Sequence, residues 1–373
     1  MQEQEDGRQR VALRYADTPY QRWEKAEGIP VHGGSYVDDL HTAEVALWPR
    51  LGQKGAFINL GAQELDDGWL VELAPGGQTE PLKHLFEASI YIVEGRGATT
   101  IWQDGSNKKQ TVEWSTGSLF SPPINSSYQH FNLDGQRPAR LFAGTTAPLM
   151  INATRDPEFI FNCPYAFTNR YDQADDYFSR PAEQLAGRDW RTNFVPDARG
   201  FNLDLDLTER RGRGNASNGF VLSANGMRVR IMQFPIGSYK KGHRHGPGAY
   251  VMILNGTGYS TFWFKGQPVS RVAWKEGTLF SPREDEYHQH FNTGTSPTRY
   301  MACLYSSLVA ANTQTVEGST VSEEDGGWQI EYEDEDPEVY ALFERECAQH
   351  GAKVELPRPQ YRPPSVTAGS RGV

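Results

Sequence analysis

The histidines with spacing suited to chemistry are concentrated in the second half of the chain. His243 and His245 are separated by one residue, and His288 follows 45 residues after His243. Side chains two residues apart on a strand point to the same face, so a neighbouring strand carrying His288 can bring three imidazoles together. Neutral imidazole suits Fe, Zn, Cu, Ni or Mn, and three such ligands leave coordination positions open for substrate or oxygen.

An internal repeat shows which elements must position these histidines. Three blocks recur in the same order: EGRGATTIW (94–102) as NGTGYSTFW (255–263), WSTGSLFSP (114–122) as WKEGTLFSP (274–282), and YQHFN (128–132) as HQHFN (288–292). The offset is 160 or 161 residues each time, so the chain holds two copies of one unit. Short alternating runs broken by glycine indicate strands, and each copy is predicted to form a β-sandwich or barrel.

The full histidine set occurs in the second copy only. In the first copy, Leu82 and Tyr128 stand at the positions of His243 and His288. We therefore expect the first copy to be a structural barrel. A weak metal site through His84, Glu87 and His130 is the alternative.

His290 shares a strand face with His288, two residues away, and is a further candidate metal ligand. Its counterpart His130 is present in the first copy, where the counterpart of His288 is missing. A residue present in both copies also fits a packing or hydrogen-bonding role, and both interpretations stay open.

These residues resemble the two sequence motifs of the cupin superfamily. The matching residues are Gly237, His243 and His245 for the first motif, and Gly277, His288 and Asn292 for the second. Tyr250 stands where that family has a glutamate ligand. Pro282 lies one place early, and the glycine inside the second motif is absent. The second copy therefore resembles a three-histidine cupin.

The resemblance implies an all-β fold of two tandem cupin (double-stranded β-helix, jelly-roll) barrels, with long flanking arms and a short C-terminal helix. The expected segments are an N-terminal arm (1–55), cupin 1 with a degenerate metal site (56–148), an inter-barrel linker (149–216), cupin 2 with the metal site (217–310), and a C-terminal tail (311–373) with a helix near 337–349. The helix is expected to start at Asp336-Pro337, a capping residue followed by proline, and to end at Gly351.

The absence of a glutamate ligand makes the second copy similar to the gentisate and salicylate dioxygenase group of bicupins. The resemblance implies an Fe(II) dioxygenase acting on O2 and a small oxygenated, possibly aromatic or enolic, compound. In that group the metal usually sits in the first cupin, which leaves the substrate open. The alternatives are an isomerase or lyase that uses Zn, Mn or Ni, with Cu as a further possible metal, and a non-catalytic bicupin that binds a small ligand.

Substrate contacts are expected from residues near the predicted metal site. Arg228 and Arg230 share one face of the strand MRVRIMQFP, and Gln233 lies on the other. An inward-facing arginine or glutamine would hold a carboxylate or phenolate. Arg283 follows Pro282 at the predicted barrel mouth. The hydroxyl of Tyr250 would either pack or point at a metal-bound group.

Composition excludes several other functions. The 373 residues carry a net charge of −10, which argues against binding to nucleic acid or to an anionic membrane. No Gly-rich dinucleotide fingerprint follows a strand, so no nucleotide cofactor is expected. Three widely spaced cysteines and a polar N-terminus predict reduced thiols in a cytoplasmic protein. The long arms predict a homodimer, because unpacked arms would lose ordering entropy without compensation.

Overall fold

The structure is a computed structural model that describes residues 17–60, 65–185, 187–246, 249–305 and 319–363. In these ranges most regular structure is strand. The α-helices are α1 (Pro19–Glu27), α2 (Ala147–Thr154), α3 (Pro157–Asn162) and α4 (Pro337–His350), and a 3-10 turn spans Glu323–Asp325. Among the described residues, no helix is long and apolar enough to cross a bilayer.

The strands of the first half are β1 (Val31–Gly33), β2 (Tyr36–Val37), β3 (Ala46–Trp48), β4 (Gln53–Asn59), β5 (Asp67–Leu73), β6 (Ala88–Glu94), β7 (Arg96–Trp102), β8 (Lys109–Ser115), β9 (Leu119–Phe120), β10 (Ser127–Asn132) and β11 (Ala139–Thr145). The strands of the second half are β12 (Glu183–Gln184), β13 (Asp189–Thr192), β14 (Phe194–Val195), β15 (Ala216–Leu222), β16 (Met227–Phe234), β17 (Ser238–Tyr239), β18 (Tyr250–Asn255), β19 (Gly258–Trp263), β20 (Ser270–Trp274), β21 (Leu279–Phe280), β22 (Tyr287–Asn292) and β23 (Thr298–Tyr305).

The strands form two barrels, each made of one large and one small sheet. Barrel 1 has a sheet of order β1-β4-β5-β11-β6-β9-β14, with β3 beside β4, and a second sheet of order β10-β7-β8. Barrel 2 has a sheet of order β12-β13-β15-β16-β23-β18-β21-β2 and a second sheet of order β17-β22-β19-β20. The predicted all-β fold of two tandem jelly-roll barrels is confirmed by this topology.

Each barrel receives a short strand from outside its own repeat. β2 lies in sequence between β1 and β3 of barrel 1 and pairs with β21 of barrel 2, whereas β14 lies between β13 and β15 of barrel 2 and pairs with β9 of barrel 1. These strands cover sheet edges that would otherwise be open to pairing with another chain. The segment boundaries and the homodimer stay predictions.

A shared apolar core joins the two large sheets. Alternation along β18 sends Tyr250 and Met252 into this core, where they meet Phe142 of barrel 1, and sends Val251 and Ile253 into the interior of barrel 2. Strand side chains alternate between faces, so the outer face of β18 belongs to the interface and the inner face to the barrel cavity.

The C-terminal helix α4 forms as the sequence predicts. The Asp336 side chain accepts a hydrogen bond from the Glu338 amide, and Gly351 ends the helix in a left-handed conformation. Tyr340 and Phe343 of α4 pack on Tyr239 and Phe291 of the small sheet of barrel 2. The helix therefore closes the outer face of that sheet.

Glu87 of barrel 1 forms hydrogen bonds to the turn between β15 and β16 of barrel 2. Its two carboxylate oxygens accept hydrogen bonds from the amides of Gly226 (2.9 Å) and Met227 (2.7 Å), and Arg170 lies 3.2 Å away. The alternative metal site that included Glu87 is therefore corrected, because these contacts occupy both oxygens of its carboxylate.

We expect Glu87→Ala to lower the free energy of unfolding by about 1–3 kcal/mol, because it leaves a buried amide without an acceptor. The measurement is urea denaturation followed by circular dichroism. Glu94→Ala, at an exposed position on β6, is the matched control and should change stability by less than about 0.5 kcal/mol. Equal effects of the two substitutions would show that Glu87 does not fasten the barrels.

Candidate metal centre

A backbone pairing brings two of the predicted ligands side by side. The amide of His243 donates to the carbonyl of His288 at 3.1 Å, and the amide of His288 donates back to His243 at 2.8 Å. This isolated antiparallel bridge sets the two residues directly opposite each other, so their side chains leave the sheet on the same face. The imidazole centroids are 4.3 Å apart.

His245 completes a compact cluster. It lies two residues after His243, on the same face, with its ring centroid 4.8 Å from that of His288. Each of the three histidines offers a ring nitrogen within 4.8 Å of the others. The structure thus brings together His243, His245 and His288.

Backbone carbonyls orient the three rings. The Nδ1 atoms of His243 and His288 donate to the carbonyls of Lys241 (2.9 Å) and Glu286 (3.0 Å), and Nδ1 of His245 faces the carbonyl of Gly246 at 3.3 Å. A proton fixed on Nδ1 leaves the Nε2 lone pair free, which is the usual arrangement behind metal-bound histidine. The donor set therefore fits a divalent transition metal.

Burial keeps the cluster neutral, as a metal site requires. Loss of solvation lowers the pKa of His245 to about 4 and moves the pKa values of His243 and His288 well below their usual range. The nearby Arg211 guanidinium acts in the same direction on all three. Protons therefore do not compete with metal near neutral pH.

Barrel 1 contains an equivalent antiparallel bridge, but the two residues that form it are not metal ligands. Leu82 and Tyr128 exchange two backbone hydrogen bonds of 2.8 Å, as His243 and His288 do in barrel 2. His84 donates from Nδ1 to the carbonyl of Phe86 and accepts at Nε2 from the Tyr128 hydroxyl, both at 2.8 Å. Both of its ring nitrogens are satisfied, so His84 has no free lone pair for a metal.

His290 lies beside the cluster and is not one of the three histidines grouped by their ring nitrogens. Its role as a ligand stays a prediction. Its Nδ1 is 2.8 Å from the hydroxyl of Ser260, which also accepts from the indole of Trp274. In barrel 1, His130 contacts Thr99 at 2.7 Å in the same way. The repeated contact explains why this histidine occurs in both copies.

Tyr250 is not brought to the cluster, and the prediction for it is corrected. Its hydroxyl donates to the carbonyl of Ile58 (3.0 Å) and accepts from the amide of Leu60 (3.1 Å), both in barrel 1. Ala249 and Val251, its neighbours in sequence, line the cavity of barrel 2 instead. Neither can ligate a metal, so this part of the wall supplies no fourth ligand.

Of the residues predicted to contact substrate, only Arg230 lines the cavity, and it is paired with Asp189 at 2.9 Å. Arg228 binds the other oxygen of Asp189 at 3.1 Å. Gln233 accepts hydrogen bonds from Arg299 and lines a separate surface pocket. Arg283 is 61% exposed and pairs with Glu286. Arg228, Gln233 and Arg283 are therefore corrected as substrate contacts.

The cavity beside the cluster has a volume of about 450 Å³ and carries basic groups that sequence reasoning missed. The charged residues that line it are Arg188, Asp206, Arg210, Arg211, Arg230 and Lys240. Part of the wall is apolar and includes Val251, Ala302 and Leu304. The run RRGRG at 210–214 was visible as a polar stretch, but no pattern in the sequence indicates that it folds over a barrel mouth.

Three of these cations lack a carboxylate partner within the described ranges, namely Arg210, Arg211 and Lys240. Arg211 donates from Nη2 to the Ser319 hydroxyl at 2.7 Å, whereas its buried Nη1 has no hydrogen-bond partner there. The Lys240 amine donates to the Tyr300 hydroxyl at 2.6 Å. Burial lowers the pKa of Arg211 to about 10 and that of Lys240 to about 7. These buried cationic groups would favour the binding of an anion in the cavity.

We expect His288→Tyr, which copies Tyr128 of barrel 1, to reduce bound metal from about one per chain to nearly none and to leave the fold intact. The measurement is elemental analysis of protein purified without added metal, with circular dichroism as the test of folding. His84→Gln in barrel 1 is the control and should retain the metal. Two metals per chain in the wild type, or undiminished metal in His288→Tyr, would contradict the assignment.

We expect the metal-free protein to lose stability as the pH falls from about 6.5 towards 4, because burial lowers the pKa of His84 to about 4 and that of His130 to about 3. The unfolded chain then binds more protons than the folded one, which costs up to about 1.4 kcal/mol per pH unit for each histidine. Urea denaturation at several pH values measures the slope.

His84→Gln removes one of these titrating groups and should flatten that slope. His350→Gln, at an exposed position in α4, is the control and should leave it unchanged. Equal slopes for wild type and His84→Gln would contradict the linkage.

Comparison with known proteins supplies no family by sequence, since neither a protein-family model nor a curated protein matches the chain. Among solved structures, a mutant of oxalate decarboxylase from Bacillus subtilis is similar with a TM-score of 0.49 and 12% identity over 73% of this chain and 77% of that chain. Salicylate 1,2-dioxygenase from Pseudaminobacter salicylatoxidans is similar with a TM-score of 0.48 and 12% identity over 67% and 74%.

The assignment of the fold rests on the topology of the chain itself. Two barrels, each built of two sheets, follow one another along the sequence, and a three-histidine cluster lies in the second. The chain thus has the fold of two tandem jelly-roll barrels, with the three-histidine cluster in the second barrel.

Proposed function

We propose that barrel 2 holds Fe(II) on His243, His245 and His288 and acts as a dioxygenase on a small, anionic, oxygenated compound. The observation that carries this proposal is the buried cluster of three neutral imidazoles at the wall of a cavity. When bound, ferrous iron would supply redox chemistry and open coordination positions for substrate and O2.

The uncharged ligand set supports an anionic substrate. Three neutral histidines leave a divalent metal with its full charge, because none of them adds a negative charge to it. An enolate, phenolate or carboxylate oxygen is the complementary ligand. Electrons for O2 reduction would then come from the substrate, which favours catechol-like, hydroxy-aromatic or enolic compounds.

The basic groups of the cavity support the same substrate class. The unpartnered Nη1 of Arg211 is a hydrogen-bond donor suited to a carboxylate, and burial strengthens such a contact. Val251, Ala302 and Leu304 give the cavity an apolar wall for the body of the substrate. Together they would orient one end of the molecule towards the histidine cluster and exclude water.

We expect protein loaded anaerobically with Fe(II) to consume O2 with at least one member of a panel of hydroxylated aromatic acids, β-diketones and flavonols. An oxygen electrode measures the rate, and His288→Tyr should abolish it. No flavin or nicotinamide should be needed. If no compound causes O2 uptake while Zn- or Mn-loaded protein transforms one without O2, the isomerase or lyase alternative replaces the dioxygenase.

Arg211→Gln tests the anion contact within the same assay. Loss of the Arg211 contact should raise KM about tenfold or more for a carboxylate-bearing substrate, because a charged hydrogen bond contributes roughly 1.5–3 kcal/mol. Arg213→Gln, an exposed neighbour in the same segment, is the matched control and should leave KM unchanged. Equal KM values for both variants would remove Arg211 from substrate binding.

A further inference from the structure

We propose that Lys240 is the proton acceptor of this site, taking the hydroxyl proton from an aromatic or enolic substrate as the substrate oxygen binds the metal. The inference rests on the proposed function and deepens it, because it names the group that makes the substrate an anion. It predicts a substrate that arrives with its hydroxyl protonated rather than one that is already fully ionised.

Lys240 is fixed at the wall of the cavity that holds the histidine cluster. It follows β17 directly, and its amide donates to the carbonyl of His290 at 2.9 Å. The residue is 3% exposed, so its amine meets the cavity rather than bulk solvent. His243 lies three residues further along the same segment.

The surroundings of the amine disfavour its charged form. Its described polar contacts are the Tyr300 hydroxyl at 2.6 Å and the thioether of Met232 at 3.7 Å. No carboxylate among the described residues lies within ion-pair distance of the amine. The charged and titratable groups that face it are Arg188, Asp206, Arg211, Arg230, His290 and Tyr300.

The groups that face the Lys240 amine carry a net positive charge. Asp206, the acidic residue of the cavity wall, is 3.1 Å from Arg188 and is therefore partly neutralised. Burial first, and then the Arg211 guanidinium, lower the pKa of Lys240 to about 7. A large fraction of the amine is therefore neutral at physiological pH, and a neutral amine has a lone pair that accepts a proton.

Tyr300 orients the amine without competing for the proton. Burial raises the pKa of the Tyr300 phenol above its usual value, so the phenol stays protonated and can donate to the neutral amine or accept from the charged one. The amine also lies 4.7 Å from the centre of the Tyr300 ring, where a cation is stabilised once the proton has arrived.

The proton transfer balances without a further reactant. The O–H bond of the substrate breaks, the oxygen keeps the electron pair, and an N–H bond forms on Lys240. The resulting anionic oxygen is the group that a metal held by the three histidines would bind. No group is oxidised or reduced in this step. The proton leaves Lys240 with the product or to solvent after the product has left.

Proton counting on binding of a probe tests the inference without turnover. The probe is 4-nitrocatechol, the protein is loaded with redox-inert Zn(II), and calorimetry in two buffers of different ionisation enthalpy gives the protons released per probe bound. At about pH 8, where Lys240 is mostly neutral, wild type should release about one proton fewer to buffer than Lys240→Met. At about pH 6, where Lys240 is already protonated, the two should agree.

Two further variants make the result specific. Lys240→Arg keeps a charge but cannot accept a proton, so it should match Lys240→Met at pH 8. Lys83→Met is the matched control, because Lys83 is also partly buried but pairs with Asp104 in barrel 1, and it should match wild type.

The readouts separate this inference from the proposed function. Stoichiometric Zn(II) in all proteins with equal proton counts for wild type and Lys240→Met overturns the role of Lys240 alone. Failure of Zn(II)-loaded wild type to bind 4-nitrocatechol also overturns it. Failure of wild type to take up metal at all overturns the proposed function and, with it, the inference.

Discussion

The antiparallel bridge between His243 and His288 is the interaction on which the candidate site depends. Its two backbone hydrogen bonds set two imidazoles opposite each other, and the two-residue period of the strand then places His245 on the same face. A shift of one residue would turn all three side chains away from the cavity. The C-terminal segment pairs with the opposite edge of the His243 segment and so helps to fix this register. Gln329 forms an antiparallel β-bridge with His243, and the Ile330 amide donates to the Gly242 carbonyl at 2.7 Å.

The two barrels share this backbone bridge but differ in the side chains that surround it. Barrel 1 keeps the bridge, yet aromatic side chains pack around its His84, among them Phe86, whose ring is stacked on the imidazole at 3.7 Å. Barrel 2 keeps a cavity at the equivalent place and lines it with cations. The first barrel is therefore expected to contribute stability and a rigid interface, and the second a site for a small anion.

The two-barrel fold, the C-terminal helix and the three clustered histidines followed from the sequence because repeats, strand periodicity and capping residues are local signals. The orientation of Tyr250 did not follow, since a difference of one residue in strand register decides whether its hydroxyl meets the cavity or barrel 1. Arg211 and Lys240 were missed for another reason. Arg211 reaches the cavity because a loop between the barrels folds back, with its carbonyl accepting from the Lys241 amide at 3.0 Å. Such packing between distant segments produces no periodic pattern in the sequence from which it could be predicted.

The most direct test of the account is the position of the metal itself. Crystals of protein purified without added metal, measured at wavelengths on either side of the absorption edge of the metal found, give an anomalous difference map. We predict a single strong peak per chain, bounded by the imidazoles of His243, His245 and His288, and no peak at the Tyr128–Leu82 bridge of barrel 1. A peak in barrel 1, or a metal-bearing protein with no peak at the three histidines, would contradict it.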